Sequence, residues 1–173
     1  MSSARAYAPV LAVLGVSALL PLATSSNVVL NGMVTTLIIA LAGIGWNLLG
    51  GYGGQFSFGH ASFFGAGAYA SALLQQRFGV NAYAAFWLAC MIGAAIGWAI
   101  GYLSFRSGLR GSYFALVTLA FAEVFRIVAN ASPFFGGAPG VLLKLDIRAS
   151  NFQFESRATY YWIGLVLVGA ALC

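Results

Sequence analysis

The sequence predicts an all-α, polytopic transmembrane helix bundle of about five to six membrane segments, and three observations carry that prediction. Hydrophobic residues make up 61% of the 173 positions and charged residues only 6%, against roughly 25% charged in a typical soluble domain. Charges are also absent between Arg5 and Arg77 and again between Arg77 and Arg106, leaving gaps long enough for spanning helices. Within those gaps lie apolar runs near the roughly 20 residues a helix needs to cross about 30 Å of hydrocarbon, where every backbone amide must be bonded internally.

Apolar runs bounded by Gly, Asn, Ser or charge place the segments at about Tyr7 to Thr24, Val28 to Leu49, Phe56 to Leu74, Ala82 to Phe105, Ser112 to Asn130 and Thr159 to Cys173. Arg5 before the first run and Ala23-Thr24-Ser25 after it also fit a signal peptide, but the spans that follow favour an uncleaved first helix. Segment three, rich in Gly and Ser, reads either as a full span or as one that enters the membrane and breaks. Segment four is flanked by Tyr83 and Trp87 at one end and Trp98 and Tyr102 at the other, as amphipathic rings at headgroup level would be. The sixth segment stops at Cys173 without a terminator, so the chain, a single transmembrane domain over 1–173, is expected to be the front part of a longer protein.

Between the last two segments, residues 131–158 form the one sizeable polar stretch, expected as an extracytoplasmic loop. It opens on the turn formers Pro133, Gly136, Gly137, Pro139 and Gly140. Leu143 to Arg148 then alternates apolar and polar with the period of a half-buried strand. Lys and Arg counts in the loops set orientation weakly; an N-inside arrangement places Arg5, Arg106 and Arg110 in the cytoplasm.

Several functions are excluded or disfavoured. The net charge of +5 comes from scattered Lys and Arg with no stripe, so no nucleic-acid partner is expected. Cys90 and Cys173 both lie in apolar runs and imply no disulfide framework. Lys144, the sole lysine, has no Gly-rich loop before it and no Ser or Thr after it, so there is no P-loop. No metal is expected, because His60 is the only histidine and nothing near it supplies further ligands; no other cofactor is expected in the chain.

Two places stand out as candidates for chemistry. From Gly50 to Tyr69, glycines are dense enough to weaken a continuous helix, and Ser57 is placed to cap the helix that follows. A break here would border a solute pathway, since non-helical backbone at membrane depth needs protein or a water-filled cavity around it; a tight turn followed by closely packed glycine faces is the alternative. Near the middle of the fifth segment, Glu123 requires a partner, and Arg126 lies three residues on. That pair reads as a structural ion pair facing the bundle interior, with Glu123 also a pathway candidate, while Thr118 adds a polar group one to two turns earlier. In the fourth segment, Ala89, Gly93, Gly97 and Gly101 fall on one helical face and mark a helix-packing surface.

The run from Gly53-Gly54-Gln55-Phe56-Ser57-Phe58-Gly59-His60 through Tyr69 resembles the signature of LivM-type permease subunits of bacterial branched-chain amino acid ABC transporters. The stretch Leu109 to Glu123 and the loop Gly136-Gly137-Ala138-Pro139-Gly140 agree in order and spacing, although Pro139 stands where that family commonly has Asn. The likeness covers about Leu30 to Gly140. It implies a multi-pass permease in the bacterial inner membrane, paired with a LivH-type sister permease, two cytoplasmic ATPase subunits and a periplasmic substrate-binding protein. Its cargo would be branched-chain amino acids, with urea or amides the alternative within the architecture. Such proteins are about twice this length, and nothing here matches the later loop that docks on the ATPase.

Under that reading no residue is catalytic; Gln55, Ser57, His60, Phe64, Thr118 and Glu123 lie near the solute pathway, and Gly93, Gly97 and Gly101 pack helices. Two other classes compete. An intramembrane enzyme would use His60 with Ser57 or Ser62, though no acid is evident to orient the histidine. A non-catalytic scaffold or small pore would use the glycine stripe to self-associate.

Overall fold

The computed structural model describes residues 3–24, 26–137, 139–143, 148 and 151–172. Among them lie α1 (Ser3–Ala23), α2 (Asn27–Asn47) with a terminal π-turn (Leu48–Tyr52), α3 (His60–Phe78), α4 (Ala82–Arg106), α5 (Ser112–Ala131), a 3₁₀ turn (Pro133–Phe135) and α6 (Arg157–Leu172). No strand occurs among the described residues. Lys144 to Ile147, the centre of the expected alternating stretch, fall outside them. The spans Asn27–Tyr52, Ala82–Arg106 and Ser112–Ala131 are long and apolar enough to cross a membrane.

The chain divides into two compact units, residues 1–45 with 154–173, and residues 46–153. In the first, α6 buries Tyr161, Leu165 and Val168, one helical face at spacings of four and three. Small residues let the neighbouring helices come close: a Cβ on Gly164 would lie 3.2 Å from Leu37, and one on Gly169 3.6 Å from Leu14. The Tyr161 hydroxyl donates to the Ser17 carbonyl at 2.7 Å, so its polar end is satisfied inside the packing. At the start of α6, the Arg157 guanidinium donates to the Asn31 carboxamide oxygen.

The second unit is an α3–α4 hairpin with α5 laid against it. Gly79 ends α3 in the left-handed conformation (φ 61°), its N–H and that of Val80 returning to the Leu74 carbonyl. Two residues later the Asn81 side chain accepts from the Tyr83 N–H at 2.9 Å and starts α4. Along α4, Ala82, Ala85 and Ala89 are buried, and the backbones nearly touch: Cβ atoms on Gly67 and Gly93 would lie 3.6 Å from the carbonyls of Ala89 and Phe63. Among the described residues, Gly97 meets nothing within 4 Å and Gly101 only Phe105 of its own helix, so the small-residue stripe is engaged over its first half. Phe105 stacks on Phe114 at 5.3 Å and ties α4 to α5.

The glycine-rich loop after α5 folds back onto α3. Arg77 donates to the Pro133 carbonyl at 3.4 Å and lies 4.8 Å over the Phe134 ring, Tyr69 meets Phe135 edge-on, and Gln76 donates to the Leu142 carbonyl at 3.1 Å. Gly136 has φ 87° and approaches the Gly140 carbonyl so closely that a Cβ would overlap it, which restricts that position to glycine.

Candidate functional site

The chain does break where the glycines are densest. After the π-turn, the backbone from Gly53 to Gly59 is not helical, and α3 begins at His60, four residues later than the apolar run suggests. Ser57 is therefore not the helix cap; Gly59 occupies that position and no side chain caps it. Two contacts, distant in sequence or made by an aromatic ring, override the local preference. The Trp46 indole donates to the Ser57 carbonyl at 2.8 Å, and the Phe58 N–H donates to the Thr118 hydroxyl on α5 at 3.2 Å.

Side chains in the break alternate like those of an extended strand: Ser57 and Gly59 are buried, Phe56 and Phe58 exposed. The buried side rests on α5. A Cβ on Gly59 would overlap the Thr118 carbonyl, so only glycine admits this approach. Thr118, 2% exposed, accepts from Phe58 and donates to the Ala115 carbonyl at 2.8 Å, so one hydroxyl joins the break to α5. At the other end of the break, the Gly111 N–H, at the N-terminus of α5, donates to the Gln55 side-chain oxygen at 3.0 Å. Gly111 has φ 56° and ψ −126°, a conformation essentially reserved for glycine. Gln55, Ser57, His60 and Thr118 thus gather at one joint, built from the two stretches that carry the family resemblance.

Phe64 lies one turn along α3, 60% exposed. Glu123 is not in the joint: five residues beyond Thr118, it sits about 140° around α5 at 3.6 residues per turn. There it pairs with Arg126, the guanidinium reaching both carboxylate oxygens at 2.5 and 2.9 Å. The two side chains are 52% and 65% exposed, on an outer surface of this unit.

The geometry gives the nucleophile reading no support. The Ser62 hydroxyl donates to the Gly59 carbonyl, and the Ser57 hydroxyl and His60 Nδ1 are buried atoms without a hydrogen-bond partner, so no described bond links His60 to either serine. Among the described residues no cluster of three potential metal ligands exists. Trp46, Phe58 and Gly111 complete the joint and are not singled out by the sequence. Only Trp46 carries a signal there, since an indole N–H in an apolar span needs an acceptor. A cavity of about 470 Å³ lies apart from the joint, at the α3–α4 turn, lined by carboxamides of Gln75, Gln76, Asn81, Asn151 and Gln153.

Long apolar helices, with a non-helical segment tied to Trp46 and to α5 by hydrogen bonds, fit a membrane permease component. The chain belongs to the family described as branched-chain amino acid transport system, permease component, whose profile matches residues 28–172. It is 36% identical over 107 residues to the high-affinity branched-chain amino acid transport system permease protein LivM of Escherichia coli K12 and, equally, to LivM of Salmonella typhimurium LT2. Each match covers 61% of this chain and 25% of the relative, so the chain aligns with about a quarter of the length of these relatives. No solved structure matches it.

Proposed function

We propose that the chain is a membrane-spanning subunit of a bacterial ABC importer for branched-chain amino acids, resident in the inner membrane. In this reading it forms the solute path with a LivH-type sister permease. Two cytoplasmic ATPases supply energy and a periplasmic binding protein delivers the solute. The family match across residues 28–172 carries the proposal, because it includes both sides of the joint. In this reading the joint supports one wall of the path: Ser57, Gly59 and Thr118 anchor the break to α5, while Phe56, Phe58 and, one turn on, Phe64 leave an aromatic surface open. Gln55 and His60 flank that surface.

Deleting the gene in its own host and measuring uptake of labelled leucine, isoleucine and valine at micromolar concentration tests this. Uptake should fall to the level of any remaining system and return when the gene is restored. Unchanged amino-acid uptake with loss of urea or amide uptake would replace the substrate; no change in any of them would remove the importer reading.

A further inference from the structure

The outer face of α5 poses a problem that the joint does not solve. Glu123 is the twelfth residue of a 20-residue helix long enough to span the membrane, and its carboxylate and the Arg126 guanidinium are both more than half exposed. Around them the face is apolar, with Leu119, Val124 and Ile127 all about half exposed and Asn130 one turn further on. Charges at this depth are expensive in lipid and normally face water or protein. No other described group bonds the pair, so each charge is satisfied by its neighbour alone.

We infer that the Glu123–Arg126 pair lines the water-filled solute path and recognises the zwitterionic head of an α-amino acid. This rests on the importer reading above. The chemistry fits in three respects. An α-amino acid carries an ammonium and a carboxylate on one carbon, a charge pair as compact as the one it would replace. Arg126 can take the carboxylate bidentately while Glu123 takes the ammonium, and each side chain exchanges one full partner for another. On either side, Leu119 and Ile127 offer apolar surface for a branched aliphatic side chain, about one turn from Glu123. When no solute is present the pair closes on itself, so neither charge is left unmatched, and because binding must first open that pair the net affinity stays modest, as passage requires. Urea and simple amides carry neither charge and could not make the exchange.

The test uses the whole transporter in its own cells. In a protein with Cys90, Cys173 and any further native cysteine changed to serine, Asn130→Cys should react with a membrane-impermeant thiol reagent, and millimolar leucine should slow the labelling. The double variant Glu123→Gln, Arg126→Gln separates recognition from packing, since paired carboxamides still hydrogen-bond across one turn and leave no bare charge. Recognition predicts that leucine uptake by this variant falls roughly tenfold or more, with the same amount of protein in the membrane, and that leucine no longer protects the introduced thiol. A purely structural pair predicts uptake near wild type. Near-wild-type uptake, an unreactive thiol in the Asn130→Cys chain, or protection that survives the double variant would each overturn the inference. If gene deletion leaves leucine uptake unchanged, the importer reading itself is what fails.

Discussion

The two faces of α5 are built on opposite plans. On the inner face, Phe114, Ala115 and Thr118 are at most 3% exposed, and the one hydroxyl there is fully committed, accepting from Phe58 and donating to Ala115. On the outer face, Glu123 and Arg126 are charged, half exposed and bonded only to each other. A polar group held by backbone on both sides fixes geometry, and its replacement should cost stability. A pair held only by itself fixes little, and its replacement should cost whatever the pair does. Thr118 and Glu123 are five residues apart in sequence, and helical geometry places them on different faces of α5.

The largest expected effect is at Gly59. Adding one methyl drives a Cβ into the Thr118 carbonyl, a backbone atom that cannot swing away. Gly59→Ala should destabilise the protein by about 1–3 kcal/mol, the usual cost of overpacking, and Gly59→Val by more. Loss of membrane-inserted protein and a lower melting temperature in detergent would show it. A Gly59→Val protein with wild-type thermal stability would mean that the break does not rest on α5.

Next comes Thr118→Val, which keeps the shape and removes the hydroxyl. The Phe58 N–H then loses its acceptor, an expected cost of about 1–2 kcal/mol, while Thr118→Ser should restore most of it. A smaller loss, about 1 kcal/mol, is expected for Gln55→Leu, which removes the acceptor from the Gly111 N–H at the start of α5. Both are read by thermal melts of purified protein. By contrast, neutralising the Glu123–Arg126 pair should leave the melt nearly unchanged, because exposed ion pairs contribute little to stability. A large drop in melting temperature there would erase the contrast between the two faces.

These outcomes also explain how much the sequence can show. Both ends of α4 and the start of α5 are legible to within about a residue, because Asn81, Arg106 and Ser112 mark them locally with a cap, a charge and a change of hydropathy. The start of α3 is not, because it is set by Trp46 and Thr118, 11 and 60 residues away from the atoms they bind. Local preference favours Ser57 as a cap, and tertiary contact moves the helix start to His60. The cavity at the α3–α4 turn is hidden for the same reason, being walled by residues from the hairpin turn and the later loop. The glycine-rich run is legible as a break, but which of its glycines matter follows only from what approaches them.

The mildest substitution is expected in the glycine stripe of α4. Gly93 and Gly97 are successive members of one stripe and look equivalent in sequence. In the structure a Cβ at Gly93 would make ordinary contact with the Phe63 carbonyl at 3.6 Å, whereas one at Gly97 would meet nothing within 4 Å. Gly97→Ala should therefore leave this chain's own packing untouched or slightly improve it, since alanine is favoured over glycine inside a helix by about 0.8–1.0 kcal/mol. The purified subunit should melt at or just above the wild-type temperature. If, under the importer reading, uptake nevertheless falls, the methyl has met a helix outside the described residues, and the second half of the stripe is a contact with it. If both melt and uptake stay unchanged, Gly97 faces lipid, and only Ala89 and Gly93 of the stripe serve helix packing between chain segments.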